Sequence, residues 1–308
     1  MVKIGTGTYN ILRKEPNPEM AEKDYLECLI LDKLFSDAYI CDNFVFAGGA
    51  SLSKSYRMTN RIGQDIDLVC SNFDDIPDNH SRKQLDKFRK RFKATVFSDL
   101  KQKIGEVINK NQQFLIMTDG DWRGLKNTEQ FMTSPTLHLM YKSEFSTNLG
   151  HLCIEIIPRK YPVSSITYSD VIPYSIGQSI GDIPTVRYEQ TFWDKVYALH
   201  SNSVAARPHF NQFFSRHYYD VATIASRIDL PATWDMLLDI ERHQAKYTLK
   251  HIAPLKSFND VHLLPDADTL HKLGVDYAAA DDRFLTARDD WNQIVHKLEK
   301  LNRKLKTL

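Results

Sequence analysis

Residues 44–70 read F-V-F-A-G-G-A-S-L-S-K-S-Y-R-M-T-N-R-I-G-Q-D-I-D-L-V-C, and the order of parts in that stretch decides the fold. A short apolar run, Phe44–Ala47, ends in Gly48-Gly49. A segment of small residues able to start a helix follows, and then comes Asp65-Ile66-Asp67-Leu68-Val69. The last part has the two-residue period of a strand, so Ile66 and Leu68 share one face and Asp65 and Asp67 the other. Two carboxylates on one face repel each other. A divalent cation with oxygen ligands neutralises them, and Mg²⁺ is commonly held by one or two carboxylates plus substrate phosphates. Glycines let the backbone approach an anion closely, and N–H groups at a helix start point toward it. A phosphate seat beside paired acids is the minimal equipment for chemistry on a metal-bound triphosphate.

The rest of the chain sets the bounds. Its 308 residues suit two domains or one large one. Hydrophobic content of 42% with 26% charged residues is that of an ordinary soluble globular protein, and a net charge of +1 gives no global field toward nucleic acid. Cys28, Cys41, Cys70 and Cys153 lack paired spacing. That argues against a disulfide framework or a zinc site and fits a reducing cytoplasm. The N-terminal segment is polar and broken by Gly5, Gly7, Pro16 and Pro18, so no signal peptide and no membrane span is expected.

Along the chain, residues 1–17 read as a loose arm or short edge element. Asn17-Pro18-Glu19 signals a helix start, and Leu26, Leu29, Ile30 and Leu34 carry the stripe to about Ala38. Phe44–Ala47 is a strand, Ala50–Arg57 a short helix, and Asp65–Cys70 a second strand. A long helix is predicted from His80 to about Lys110. Between Arg82 and Lys93 it holds seven basic residues against one acid, Asp86, with Phe88 and Phe92 on the inward face. That run is either a contact for phosphates or a solvated helix face. Phe114–Met117 and Thr136–Tyr141 are short strands flanking a Gly- and Asp-rich loop, Asp119–Asn127. Leu149–Ile157 is an apolar strand with a single acid, Glu155, which needs a partner. Pro158–Thr185 is rich in proline and glycine and reads as loop. The second half reads as helices: one from Glu189 with Thr191 near its cap, one over 213–224, and amphipathic stretches over 232–251 and 281–305, with mixed short turns between Pro254 and Asp281.

The Gly-Gly turn followed by Asp-x-Asp resembles the first motif of the DNA polymerase β-type nucleotidyltransferases. The variant here, G-G-A-S-L-S-K with R-I-G-Q-D-I-D-L, is most similar to the AbiEii/AbiGii toxin family. A second signature of that family is similar to T-F-W-D-K-V-Y-A-L-H at 191–200 followed by S-R-H-Y-Y-D-V at 215–221. The resemblance implies an α+β fold: a polymerase β-like nucleotidyltransferase domain over 1–187, its mixed sheet flanked by helices, then a helical bundle domain over 188–308 that closes the nucleotide cleft. It implies that Asp65, Asp67 and a third carboxylate, Glu155, hold two Mg²⁺ ions. Glu155 facing solvent or pairing with Arg159 or Lys160 is the competing reading. Gly48, Gly49 and Ser51 would seat the triphosphate, through backbone N–H groups more than the Ser51 hydroxyl, because Ser51 lies two residues past Gly49. Arg61 would steady a carboxylate or reach a phosphate, with a surface salt bridge as the alternative. The resemblance gives Lys195 a nucleotide phosphate and sets Asp220 beside it. A structural ion pair, or an Arg216–Asp220 pair at i, i+4, competes for the same groups.

By that resemblance the expected activity is transfer of NMP from an NTP to RNA, plausibly a tRNA, by a bacterial toxin of abortive infection. Its partner would be a separately encoded antitoxin of the transcriptional-repressor type. A non-catalytic nucleotide-binding protein on the same scaffold, or a transferase acting on a small molecule such as an antibiotic, remain as alternatives.

Overall fold

Asn17 supplies the first clear instruction of the chain. Its side chain accepts from the Met20 N–H at 3.2 Å and caps a helix with proline at its first position. In the computed structural model, which describes residues 4–63, 65–73, 76–77, 80–109, 112–118, 135–205, 208, 210–248, 252–280, 284 and 288–308, that helix is α2, Pro18–Phe35. The Asp119–Asn127 loop, Arg207, His209 and His251 lie outside the described residues.

The chain divides into two compact units, one of residues 1–57 with 62–186 and one of residues 58–61 with 187–308. The first holds a seven-stranded mixed sheet flanked by helices. Its strands are β1 (Phe44–Ala47), β2 (Asp65–Cys70), β3 (Phe114–Thr118), β4 (Thr136–Lys142), β5 (Leu149–Pro158), β6 (Ile166–Val171) and β7 (Ile180–Val186), in the spatial order β3-β4-β5-β2-β1-β7-β6. β2 runs antiparallel to β1 and parallel to β5. Its helices are α1 (Thr6–Leu12), α2, α3 (Ala38–Asn43), α4 (Gly48–Lys54), α5 (Arg82–Phe92) and α6 (Ser98–Ile108). One sheet face is apolar and closed: Ile66, Leu68, Leu137, Leu139, Ile154 and Ile156 have essentially no exposure. Burying such side chains is the main drive for folding here, worth roughly 1.5–3 kcal/mol each.

Several expectations need correction. Residues 6–12 are a helix, not a loose arm; Leu12 is fully buried and Tyr9 stacks on Phe145 at 4.8 Å, contacts too distant in sequence for a local pattern to show. Pro158–Thr185 is not loop throughout. It contains β6 and β7, which pair with each other, while β7 also pairs parallel with β1. Pro184 and Gly181 hid the strand signal because both are poor strand formers read singly. The long helix over 80–110 is α5 and α6 joined by a π-helical turn, Lys93–Phe97, and its start is set by a Ser81–Gln84 capping box.

The described elements of the second unit include α7 (Tyr188–Ser203), α8 (Arg216–Ile224), α9 (Trp234–Thr248), α10 (Ala267–Ala278) and α11 (Trp291–Leu305). α7 begins one residue before Glu189, so Thr191 is an interior, buried position and not a cap. α10 was not anticipated. Its N-cap Asp266 accepts from the Thr269 N–H at 2.8 Å. Trp193, Trp234 and Phe258 form an aromatic cluster, with Trp193 Nε1 donating to Thr233 Oγ1 at 2.8 Å. Among the described residues no helix is long and apolar enough to cross a membrane.

Candidate active site

In the sheet unit the acids gather on one face. β2 and β5 pair in register Asp65↔Cys153 and Asp67↔Glu155, and residues paired this way in a parallel ladder point to the same side. The burial pattern agrees. Asp65, Asp67, Cys153 and Glu155 are half-buried, and the alternate residues Ile66, Leu68, Ile154 and Ile156 are closed on the other face. Glu155 therefore lies one strand spacing, about 4.8 Å, across from Asp67 and on the same face as Asp65. The Arg159 guanidinium lies 4.1 Å from the Tyr161 ring and the Lys160 ammonium 5.3 Å from the Phe73 ring.

The glycine turn meets this face directly. Ala47 pairs with Asp67, and Gly48 follows with φ +73°. A Cβ at Gly48 would lie 1.6 Å from Asp67 Oδ2, so only glycine leaves room for that carboxylate. Ser51 is fully buried and its Oγ donates to the Gly48 carbonyl at 2.8 Å. The hydroxyl thus fastens the turn, and what Gly48 and Gly49 can offer an anion is backbone.

A buried cluster holds the helix that carries this turn. Lys54, at the end of α4, is 1% exposed and ion-paired with Asp24 at 2.5 Å and Glu27 at 2.9 Å, both on α2. Burial alone would lower the Lys54 pKa, but the two carboxylates outweigh it and raise it. The remaining Asp24 oxygen accepts from the Tyr174 N–H at 2.7 Å. Sequence reasoning missed this cluster. Asp24 and Glu27 sit on a helix where acids read as solvated, and nothing local marks Lys54 as buried.

The second unit carries its own charged group. Asp220 on α8 is fully buried. It accepts from Arg61 at both oxygens, Nε to Oδ1 at 2.7 Å and Nη2 to Oδ2 at 2.6 Å, and its Oδ2 lies 2.8 Å from Lys195 Nζ on α7. Arg61 is thus a bidentate, buried partner and not a surface salt bridge. The Arg216 guanidinium donates to the Phe213 carbonyl at 2.9 Å. Burial would raise the Asp220 carboxyl, but Arg61 and Lys195 hold it below the usual carboxylate range. Burial, with Arg61 nearby, pulls the Lys195 ammonium down against the opposing effect of Asp220. His217 Nδ1, 3.5 Å from Lys195 Nζ, is depressed by burial and by that cation.

The sheet topology, with carboxylates from adjacent strands beside a glycine turn, defines a nucleotidyltransferase-type α+β domain. Residues 29–300 match the family model described as the nucleotidyl transferase AbiEii toxin of type IV toxin–antitoxin systems, and the chain belongs to that family. It is therefore a nucleotidyltransferase of a toxin class that works opposite a separate antitoxin. Among solved structures, the chain is similar to JHP933 from Helicobacter pylori, at 14% identity over 94% of each chain with a TM-score of 0.47. It is also similar to a candidate nucleotidyltransferase from H. pylori, at 14% identity over 76% of this chain and 99% of that one, with a TM-score of 0.34. No curated protein matches it in sequence.

Proposed function

We propose that the protein transfers a nucleoside monophosphate from an NTP to an RNA hydroxyl, with tRNA as acceptor, in a Mg²⁺-dependent reaction. The observation that carries this reading is the register Asp67↔Glu155 with Asp65 on the same half-open face, against the Gly48 turn. Three carboxylates on one half-buried face suit hard divalent cations with oxygen ligands. Asp65, Asp67 and Glu155 would hold two Mg²⁺ ions, which supply charge neutralisation and a lowered pKa for the attacking hydroxyl. Gly48 and Gly49 would present backbone N–H groups to the phosphates. The acceptor oxygen forms a bond to the α-phosphorus, the α–β anhydride bond breaks, and pyrophosphate leaves. Glu155 or Asp67 is the nearest base for the hydroxyl proton.

RNA is favoured as acceptor over a small molecule by α5, where Arg82, Lys83, Lys87, Arg89, Lys90 and Arg91 are all exposed. The antitoxin is taken to act as a transcriptional repressor. The resemblance also gives Lys195 a nucleotide phosphate, a role beside the Asp220 contact that it makes within its own unit.

Incubation with Mg²⁺, each α-labelled NTP and total tRNA, beside an Asp67→Ala variant, tests the proposal. Label entering RNA only with the wild-type chain is expected. NTP binding with no transfer to any acceptor would point instead to a non-catalytic nucleotide-binding role.

A further inference from the structure

On the same face as the acids, one strand further along, sits a group of different chemistry. β4 and β5 pair antiparallel, with His138 opposite Cys153 and Met140 opposite His151. This brings His138, His151 and Cys153 together, although thirteen residues separate the two histidines. His138 Nδ1 lies 3.0 Å from His151 Nε2, Cys153 Sγ lies 3.6 Å from His138 Nδ1, and Cys153 Sγ lies 3.4 Å from His151 Nε2. The imidazole rings are stacked, with centroids 5.2 Å apart at 16°. His138 is 2% exposed, while His151 and Cys153 are half-buried. Among the described residues this is the single group of three His, Cys, Asp or Glu ligand atoms that lie within 4.8 Å of one another.

Tetrahedral Zn²⁺ has bonds of about 2.0–2.1 Å to histidine nitrogen and about 2.3 Å to thiolate sulfur. One face of such a tetrahedron has edges of roughly 3.3 Å between nitrogens and roughly 3.5 Å from nitrogen to sulfur. The three observed separations fall within a few tenths of an ångström of that face. Carboxylate-only sites suit Mg²⁺, whereas imidazole and thiolate select borderline-soft cations. We propose that His138, His151 and Cys153 form a binding site for one divalent cation of the zinc class, distinct from the Asp65–Asp67–Glu155 group and beside it on the same face. Three protein ligands leave the fourth tetrahedral position to water. The half-buried flank at His151 leaves an approach for the ion. The inference does not depend on nucleotidyl transfer: it concerns binding by side chains to which that reaction gives no role.

Co²⁺ titrated into the full-length protein in Mg²⁺-free buffer is the direct probe. The expected result is a thiolate-to-cobalt charge-transfer band that saturates at one equivalent, is displaced by Zn²⁺ and is indifferent to millimolar Mg²⁺. Cys153→Ser should abolish the band. His138→Gln and His151→Gln should each weaken Zn²⁺ binding by more than the ~10–100-fold typical of outer-shell partners. The Asp67→Asn variant should keep the band. Thermal unfolding of each variant separates lost ligands from lost fold, and the wild-type titration stands without any variant. A folded wild-type protein with no thiolate band would overturn the proposal. So would a band that survives Cys153→Ser, or binding that disappears in Asp67→Asn while persisting in Cys153→Ser.

Discussion

At the scale of single residues, Gly48 and Asp220 show two ways a side chain can be indispensable. Gly48→Ala asks an L-residue to hold φ +73° and to place a methyl on the Asp67 carboxylate. The backbone strain costs about 1–3 kcal/mol, and the larger effect should fall on chemistry, since a shift of ~1 Å in a positioned group can cost ~100-fold in rate. We expect a folded Gly48→Ala protein with transfer reduced at least that far, read by initial rates beside thermal unfolding. Unchanged rates would separate Asp67 from the reaction. Asp220 is a matter of charge. Asp220→Asn would leave Arg61 and Lys195 buried without their shared carboxylate, and such losses run to about 3–5 kcal/mol. Lys195→Met keeps the bidentate Arg61–Asp220 contact, so its stability cost should be smaller. If Lys195 also binds a phosphate, the KM for NTP should rise roughly tenfold to a hundredfold, the ~1.5–3 kcal/mol of a charged hydrogen bond. A variant that loses stability with KM unmoved would leave Lys195 a purely structural role.

Elements differ in how much of themselves they show in sequence. β1 and β2 were legible to the residue, because Phe44–Ala47 and Asp65–Cys70 carry strand chemistry between glycine and polar breaks. The alternation in β2 put Asp65 and Asp67 on one face; Glu155 as their third member was what the family resemblance implied, and the register puts all three residues on the same side of the sheet. The β6–β7 hairpin was not legible, since its pairing with β1 is long-range and its own residues speak for turns. Lys54 and the His138–His151–Cys153 group were invisible for a related reason: their partners come from other elements, and spacing along one element carries no trace of them. α7 holds a further consequence of such packing. His200 is buried, with Nδ1 accepting from the His262 N–H at 3.2 Å and its ring stacked on His262, and burial with that neighbour pushes its pKa from 6.5 down to about 4. The unfolded chain therefore binds the proton more readily. Stability from this site is fully present above about pH 6.5 and is lost as pH falls toward 4, by up to ~3 kcal/mol. Denaturant titrations across that window should show the midpoint falling with pH. In a His200→Gln protein the slope should flatten, with the residue of the trend assigned to His217, which is shifted in the same direction.

For the whole molecule, a net charge of +1 hides a strong separation. Seven basic residues and one acid between Arg82 and Lys93 give that segment six positive charges, so the remainder of the chain is net negative by five. α5 shows why the segment can be so charged. Leu85, Phe88 and Phe92 anchor its inner face, with Phe88 and Phe92 stacked at 6.1 Å, and the basic side chains take the outer face. Self-repulsion along such a face costs stability unless a polyanion offsets it, so under the proposed RNA acceptor this segment is where its phosphates would bind. The Lys87→Gln, Lys90→Gln, Arg91→Gln triple variant should therefore weaken tRNA binding uniformly across sequences while leaving the KM for NTP unchanged. Each phosphate contact removed should shallow the slope of log affinity against log salt by roughly 0.7–0.9. The fold should be retained or slightly stabilised, because the apolar anchors are untouched. An unchanged salt slope would make α5 a solvated face and shift the choice of acceptor toward a small molecule.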